Sequence, residues 1–171
     1  MRSVICDDED FVRLIGAGGL YDYELGERYI VAPAPNSEHG ELQNEAQVAL
    51  RQFFGRVSGP TNLGVLGEPG KRRHVVPDAV VLASDAPRRV DAHLRALVAV
   101  EVRSPREAIA TKLAHYREVI RRTGLEVGEV WYIDGGEVKV HPNASAELSS
   151  TAYPDALVAV GTAIRTWLAT T

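Results

Sequence analysis

Helical and strand patterns alternate along this chain of 171 residues, which predicts an α/β fold. Three observations carry that prediction. The stretch LRALVAVEVRS (94–104) is a near-continuous apolar run, as expected of a central strand buried on both faces. Two long segments, 36–55 and 104–124, space their apolar residues as amphipathic helices do. GEVWYIDGGEVKVHP (128–142) reads as two strands joined at Gly135-Gly136.

Taken in chain order, residues 8–20 read as a short helix stopped by GAGG (16–19). YDYELGERYIVAPAP (21–35) then suggests two short strands around Gly26, ended by prolines. The first long helix has Asn36 or Ser37 as its cap and Gly55 as its stop, with a stripe of Leu42, Ala46, Ala49, Leu50 and Phe53. Strands are expected near 61–67 and at 75–82. In the second long helix Ser104 stands as N-cap, Pro105 at the first helical position and Glu107 as the closing member of a capping box. Its stripe is Ile109, Leu113, Tyr116 and Ile120, and Gly124 ends it. For the tail LVAVGTAIRTWLA (157–169) periodicity leaves strand and helix both open.

Composition narrows the function classes. At 45% hydrophobic and 25% charged residues, the chain is ordinary for one globular domain spanning 1–171. A net charge of −4 provides no global field for nucleic acid or anionic lipid. Nucleic-acid contacts would rest on local patches: KRRH (71–74), RR (88–89) and RR (121–122), each equally readable as solvated surface. The single cysteine, Cys6, excludes an internal disulfide and a cysteine zinc cage. The acidic start DDED (7–10) and the lack of a run near the ~20 apolar residues of a membrane span predict a cytoplasmic, soluble protein.

Two acids carry the chemical argument. Asp78 follows Pro77 at the mouth of an apolar run, where a turn residue is equally at home. Glu101 lies inside the apolar strand, where a carboxylate is costly unless it is paired or binds a metal. Strand alternation places Glu101 and Arg103 on one face, so an internal salt bridge is the structural alternative. Two acids at strand ends with a cation close by suit a hard divalent ion, Mg²⁺ with Mn²⁺ as substitute. Such an ion polarises a phosphodiester and activates water, while a cationic side chain stabilises the charge that develops.

With these residues in order, the sequence resembles the PD-(D/E)XK nuclease superfamily and, within it, the Uma-two restriction-endonuclease branch. The matching stretches are GERYIVAPAPNSEHGELQNEAQVALRQFF, VVPDAVVL, LVAVEVRSP, KLAHY and GEVWYIDGGEVKVHP. The resemblance spans nearly the whole chain from about residue 20. It implies a restriction-endonuclease-like core, a mixed β-sheet flanked by helices, with a divalent metal at Asp78 and Glu101. The superfamily's third position, usually Lys, is Arg103 here, and arginine is a poor general base. Relatives in this branch carry a lysine on the following helix, which matches Lys112; Tyr116 matches the family's Tyr and His39 its HG. A helix acid completes the metal site in some members, which points to Glu45 ahead of Glu41. The segment before Lys112 is shorter than the family's, and Ala108 stands where the family carries Asp.

The resemblance therefore implies a metal-dependent endonuclease acting on DNA, with Lys112 or Arg103 assisting. A homodimer is expected separately, from the sheet edge that strands and hairpin leave and from the WYIDGG hairpin (131–136) as contact, and it would present two sites to a duplex. A catalytically decayed nuclease fold, kept as a nucleic-acid or protein binding module, is the alternative. A structural or regulatory dimer is a third reading. Trp131 and His141 read as structural.

Overall fold

The computed structural model describes residues 3–5, 24–25, 29–31, 37–65, 74–85, 93–104 and 107–171. Its centre is a five-stranded sheet of β4 (Val57–Ser58), β7 (Ala79–Leu82), β8 (Arg95–Val102), β9 (Glu126–Asp134) and β10 (Glu137–Pro142), ordered β10-β9-β8-β7-β4. The β8–β9 pairing is parallel and the other three are antiparallel, so the sheet is mixed. Two small sheets accompany it. One joins β1 (Ser3–Ile5), β3 (Tyr29–Val31) and β2 (Glu24–Leu25); the other pairs β5 (Leu63–Gly64) with β6 (His74–Val75). The strands expected either side of Gly26 thus belong to a three-stranded sheet. The helix expected at 8–20 and the Arg pair at 88–89 lie outside the described residues, as does KRRH apart from His74.

Helices α1 (Ser37–Leu50) and α3 (Pro154–Leu168) cover one face of the sheet, and α2 (Ile109–Thr123) covers the other. β8 feeds both clusters because its side chains alternate. Val98, Val100 and Val102 pack with Leu42, Leu50, Trp131, Val160 and Ile164, while Ala99 packs with Leu113, Tyr116, Val119 and Val130. The parallel β8–β9 step needs a crossover, and α2 supplies it.

Most departures from expectation fall at element ends. The run at 75–82 is split: Val75 belongs to β6 and Ala79 begins β7. Pro77 has no N–H for a ladder, and Asp78 N donates instead to Val100 O, the partner of Ala79 (2.9 Å). α1 ends at Leu50 rather than at Gly55, so Phe53 is exposed (45%) and Phe54 packs edge-on against Tyr153.

The capping box does not form. Ser104 and Glu107 bridge one another, and α2 begins at Ile109 after Ala108, an extended residue with no side-chain cap. Gly124 does end α2, at φ +73°, with its N–H on Ile120 O. The tail is helical: Pro154 starts α3, and Ala156, Val160 and Ile164 bury one stripe. The expected hairpin is present, with Asp134 opposite Glu137 and Gly135 at φ +59°. Among the described residues no helix is long and apolar enough to cross a membrane.

Candidate active site

The start of β7 and the end of β8 meet at one edge of the sheet, because the two strands are antiparallel. Asp78 is held there by its own backbone bond to Val100 O and by Val102 N, which donates to its Oδ2 at 2.7 Å. Both anchors are sequence neighbours of Glu101, so the carboxylate of Asp78 is tied across the strand segment that carries the second acid. His39, in the first turn of α1, bonds Asp78 Oδ1 through Nε2 at 2.8 Å.

Glu101 faces α2. Tyr116 Oη donates to Glu101 Oε1 at 2.6 Å, and Lys112 Nζ stands 3.5 Å from Oε2. Lys112 and Tyr116 are four residues apart and share one helix face, which explains why both reach the same acid. The side chains of Glu101 and Lys112 are 6% and 12% exposed, so the pair is largely desolvated. Glu107, displaced from its expected capping role, lies 3.9 Å from the same ammonium. The two halves of the site are also coupled. The pKa of His39 is raised chiefly by its hydrogen bond to Asp78, against desolvation and the positive charge of Lys112. Hence His39, Asp78, Glu101, Lys112 and Tyr116 form one neighbourhood.

Arg103 stands apart from it. Immediately beyond β8, its guanidinium bonds Asp134 Oδ1 at 2.8 Å and is 64% exposed. That bond raises its pKa further. Arg103 thus makes the salt bridge that sequence reasoning allowed, with a β9 acid, Asp134, as its partner rather than Glu101. Glu45 is six residues beyond His39 on α1, about 9 Å along the helix axis. Among the described residues no group of three or more His, Cys, Asp or Glu is placed to hold a metal, so Glu45 and Glu41 are not gathered with Asp78 and Glu101.

Two carboxylates remain as oxygen donors. Mg²⁺ takes one or two protein carboxylates and keeps waters or substrate oxygens for its other positions, so the donor set fits in kind. Each carboxylate oxygen has two acceptor lone pairs, and the bonds from His39, Val102 N and Tyr116 leave acceptor capacity.

Two residues of β9 were passed over by sequence reasoning. Glu129 is buried, and its carboxylate accepts from Trp131 Nε1 (2.6 Å), Thr151 Oγ1 (2.6 Å) and Ala152 N (2.7 Å). It ties the approach to α3 onto the sheet, a structural use of a buried acid. Tyr132 is the parallel-strand partner of Glu101 in register. Its pKa is raised, first by desolvation and then by the negative charge of Asp134, with Glu101 adding to the same effect and Arg103 opposing it. The register of a parallel neighbour is invisible in a sequence read strand by strand. As expected, Trp131 is fully buried, and His141 is buried with Nδ1 bonded to Ser145 O.

Comparison with known proteins bears on the fold. No family model matches the chain, and no curated protein matches it. Among solved structures, the chain is similar to one described as a "putative nuclease belonging to DUF820" from Anabaena variabilis ATCC 29413. The TM-score is 0.59 at 15% identity, over 91% of this chain and 99% of that one. The mixed sheet flanked by helices is thus a restriction-endonuclease-like arrangement.

Proposed function

We propose that this chain is a metal-dependent nuclease that hydrolyses DNA phosphodiester bonds. The observation that carries the reading is the placement of a desolvated lysine amine, Lys112, 3.5 Å from the buried carboxylate of Glu101. Asp78 is bound to the backbone on both sides of that glutamate. The fold's likeness to a solved protein described as a "putative nuclease" supports the same reading.

Asp78 and Glu101 would hold Mg²⁺ or Mn²⁺, which supplies charge neutralisation at phosphorus and acidifies water. The chain's own residues do the rest. Tyr116 fixes the rotamer of Glu101 by its hydrogen bond, and His39 and Val102 N fix that of Asp78. Lys112 is the cation suited to orient and deprotonate water, since a lysine in a desolvated setting can lose its proton and an arginine cannot. Arg103, in its exposed ion pair, is suited to contact with the backbone rather than to proton transfer.

The test is cleavage of duplex and single-stranded DNA in Mn²⁺ and in Mg²⁺. Wild-type protein should cleave. Glu101→Gln and Asp78→Asn should abolish turnover, and Lys112→Ala should lower the rate by at least ~10²-fold, the usual worth of a general base. Full activity in Glu101→Gln would remove the reading.

One observation favours the binding-module alternative. All four carboxylate oxygens of Asp78 and Glu101 already have a protein partner: His39, Val102 N, Tyr116 or Lys112. A site retired from catalysis would keep such internal pairing. DNA binding without metal uptake or cleavage is its signature.

A homodimer is proposed through the edge strand β10 and its hairpin, where a second copy would cover the sheet edge. Leu148 N already bonds Val140 O, and Trp131, Tyr132 and Ile133 are buried, so the available contact centres on the hairpin tip. Sedimentation as a monomer at micromolar concentration would remove it.

A further inference from the structure

Tyr132 is buried, at 8% exposure, yet it belongs to neither apolar cluster of the core. Among the described residues its hydroxyl has no hydrogen-bond partner, and it is not one of the polar atoms sealed from solvent without one. The ring is therefore enclosed and the hydroxyl opens to water. A buried tyrosine with an open hydroxyl is an apolar body presenting one polar tip.

The position of that tip is set by the sheet. Tyr132 is the register partner of Glu101 on the adjacent parallel strand, so the two side chains leave the same face about 4.8 Å apart. Arg103 N continues the same ladder by bonding Ile133 O, which places Arg103 about 6.6 Å beyond Glu101 along the strand. Its charge is felt at Tyr132. The guanidinium carries five N–H donors, and the single bond to Asp134 leaves others for a ligand. Asp134 is the opposing charge at this spot, and Arg103 is the residue that neutralises it.

We propose that Tyr132 is a substrate-contact residue: its hydroxyl, with Arg103 beside it, takes a backbone phosphate adjacent to the scissile one. This rests on the nuclease reading above and sharpens its substrate class. A phosphate grip displaced from the acids by several ångströms selects a polynucleotide strand, with at least two phosphates, over an isolated phosphodiester. The grip is sequence-independent, because phosphate contacts position the strand without reading bases.

The experiment uses the full chain with a fluorescein-labelled 20-mer duplex and the matching single strand. Anisotropy is read in EDTA across several salt concentrations, and hydrolysis is followed in Mn²⁺. Tyr132→Phe keeps the ring and removes only the hydroxyl. It should weaken DNA binding by about 10-fold or more, the scale of one hydrogen bond to a charged oxygen, with a KM rise larger than any kcat fall. Arg103→Gln, at an exposed position, should weaken binding and reduce the slope of log affinity against log salt by about 1. Wild-type DNA affinity in Tyr132→Phe, an unchanged salt slope in Arg103→Gln, or no DNA binding by the wild type would each overturn the proposal. If the wild type binds DNA but never cleaves it, while Tyr132→Phe still loses affinity, the catalytic reading falls and the phosphate grip stands.

Discussion

At Glu101 a single carboxylate inside an apolar strand has been given two partners from one helix face, Tyr116 and Lys112. Removing one partner of a buried ion pair leaves a desolvated charge behind, which costs more than the pair itself contributes. Lys112→Met should therefore destabilise the metal-free protein by about 2 kcal/mol or more in urea unfolding. Glu101→Gln combined with Lys112→Met should recover much of that loss, because no charge is then left unpaired. Additive losses would mean that the two groups do not interact.

The His39–Asp78 pair has a pH signature. The histidine pKa is raised in the folded chain above 6.5, first by the hydrogen bond to Asp78. The pair's contribution to stability is thus fully present below the unfolded value of 6.5 and is lost as pH rises through the higher, folded value. The difference in Tm between wild type and His39→Asn, measured in EDTA from pH 5.5 to 9, should be largest at the acid end and shrink toward the alkaline end. A gap that grows with pH would contradict the assignment.

At the scale of elements, local chemistry predicts where substitutions help or harm. α2 starts at Ala108 without a side-chain cap. Ala108→Ser should stabilise the chain by about 1 kcal/mol, visible as a higher Tm. In β9, a Cβ on Gly128 would lie 2.6 Å from the backbone oxygen of Leu97. Gly128→Ala should destabilise by roughly 1–3 kcal/mol, since backbone cannot yield as a flexible side chain can.

Elements were legible in the sequence where one periodic signal dominated. The apolar run around Glu101, the hairpin at Gly135-Gly136 and the stop at Gly124 all stand where expected. Ser104, Pro105 and Glu107 matched a helix start, but the bridge between Ser104 and Glu107 and the nearby Lys112 draw Glu107 to another use. Likewise 75–82 read as one strand because both halves are apolar, whereas Pro77 divides them between two sheets. Long-range competition of this kind leaves no trace in a local pattern.

For the whole molecule, the sheet brings together residues from four separate stretches: His39, Asp78, Glu101 and the Lys112–Tyr116 pair. Their types and order suggested a shared site; their distances required the antiparallel β7–β8 contact and the α2 crossover. Arg103 and Glu45 show the converse. Strand alternation left the partner of Arg103 open, and the sheet supplies it from β9, where Asp134 binds the guanidinium. Tyr132 became visible only through its register partner, a property of the sheet and not of either strand.

The claim on which the rest depends is that Asp78 and Glu101 act together on one divalent cation. Calorimetric titration of Mn²⁺ into the wild type, Asp78→Asn and Glu101→Gln tests it directly, with each variant first shown by its Tm to be folded. One bound ion per chain is expected in the wild type, with loss of binding in both variants. Mn²⁺ uptake that survives in either folded variant, or no uptake by the wild type, would contradict the account.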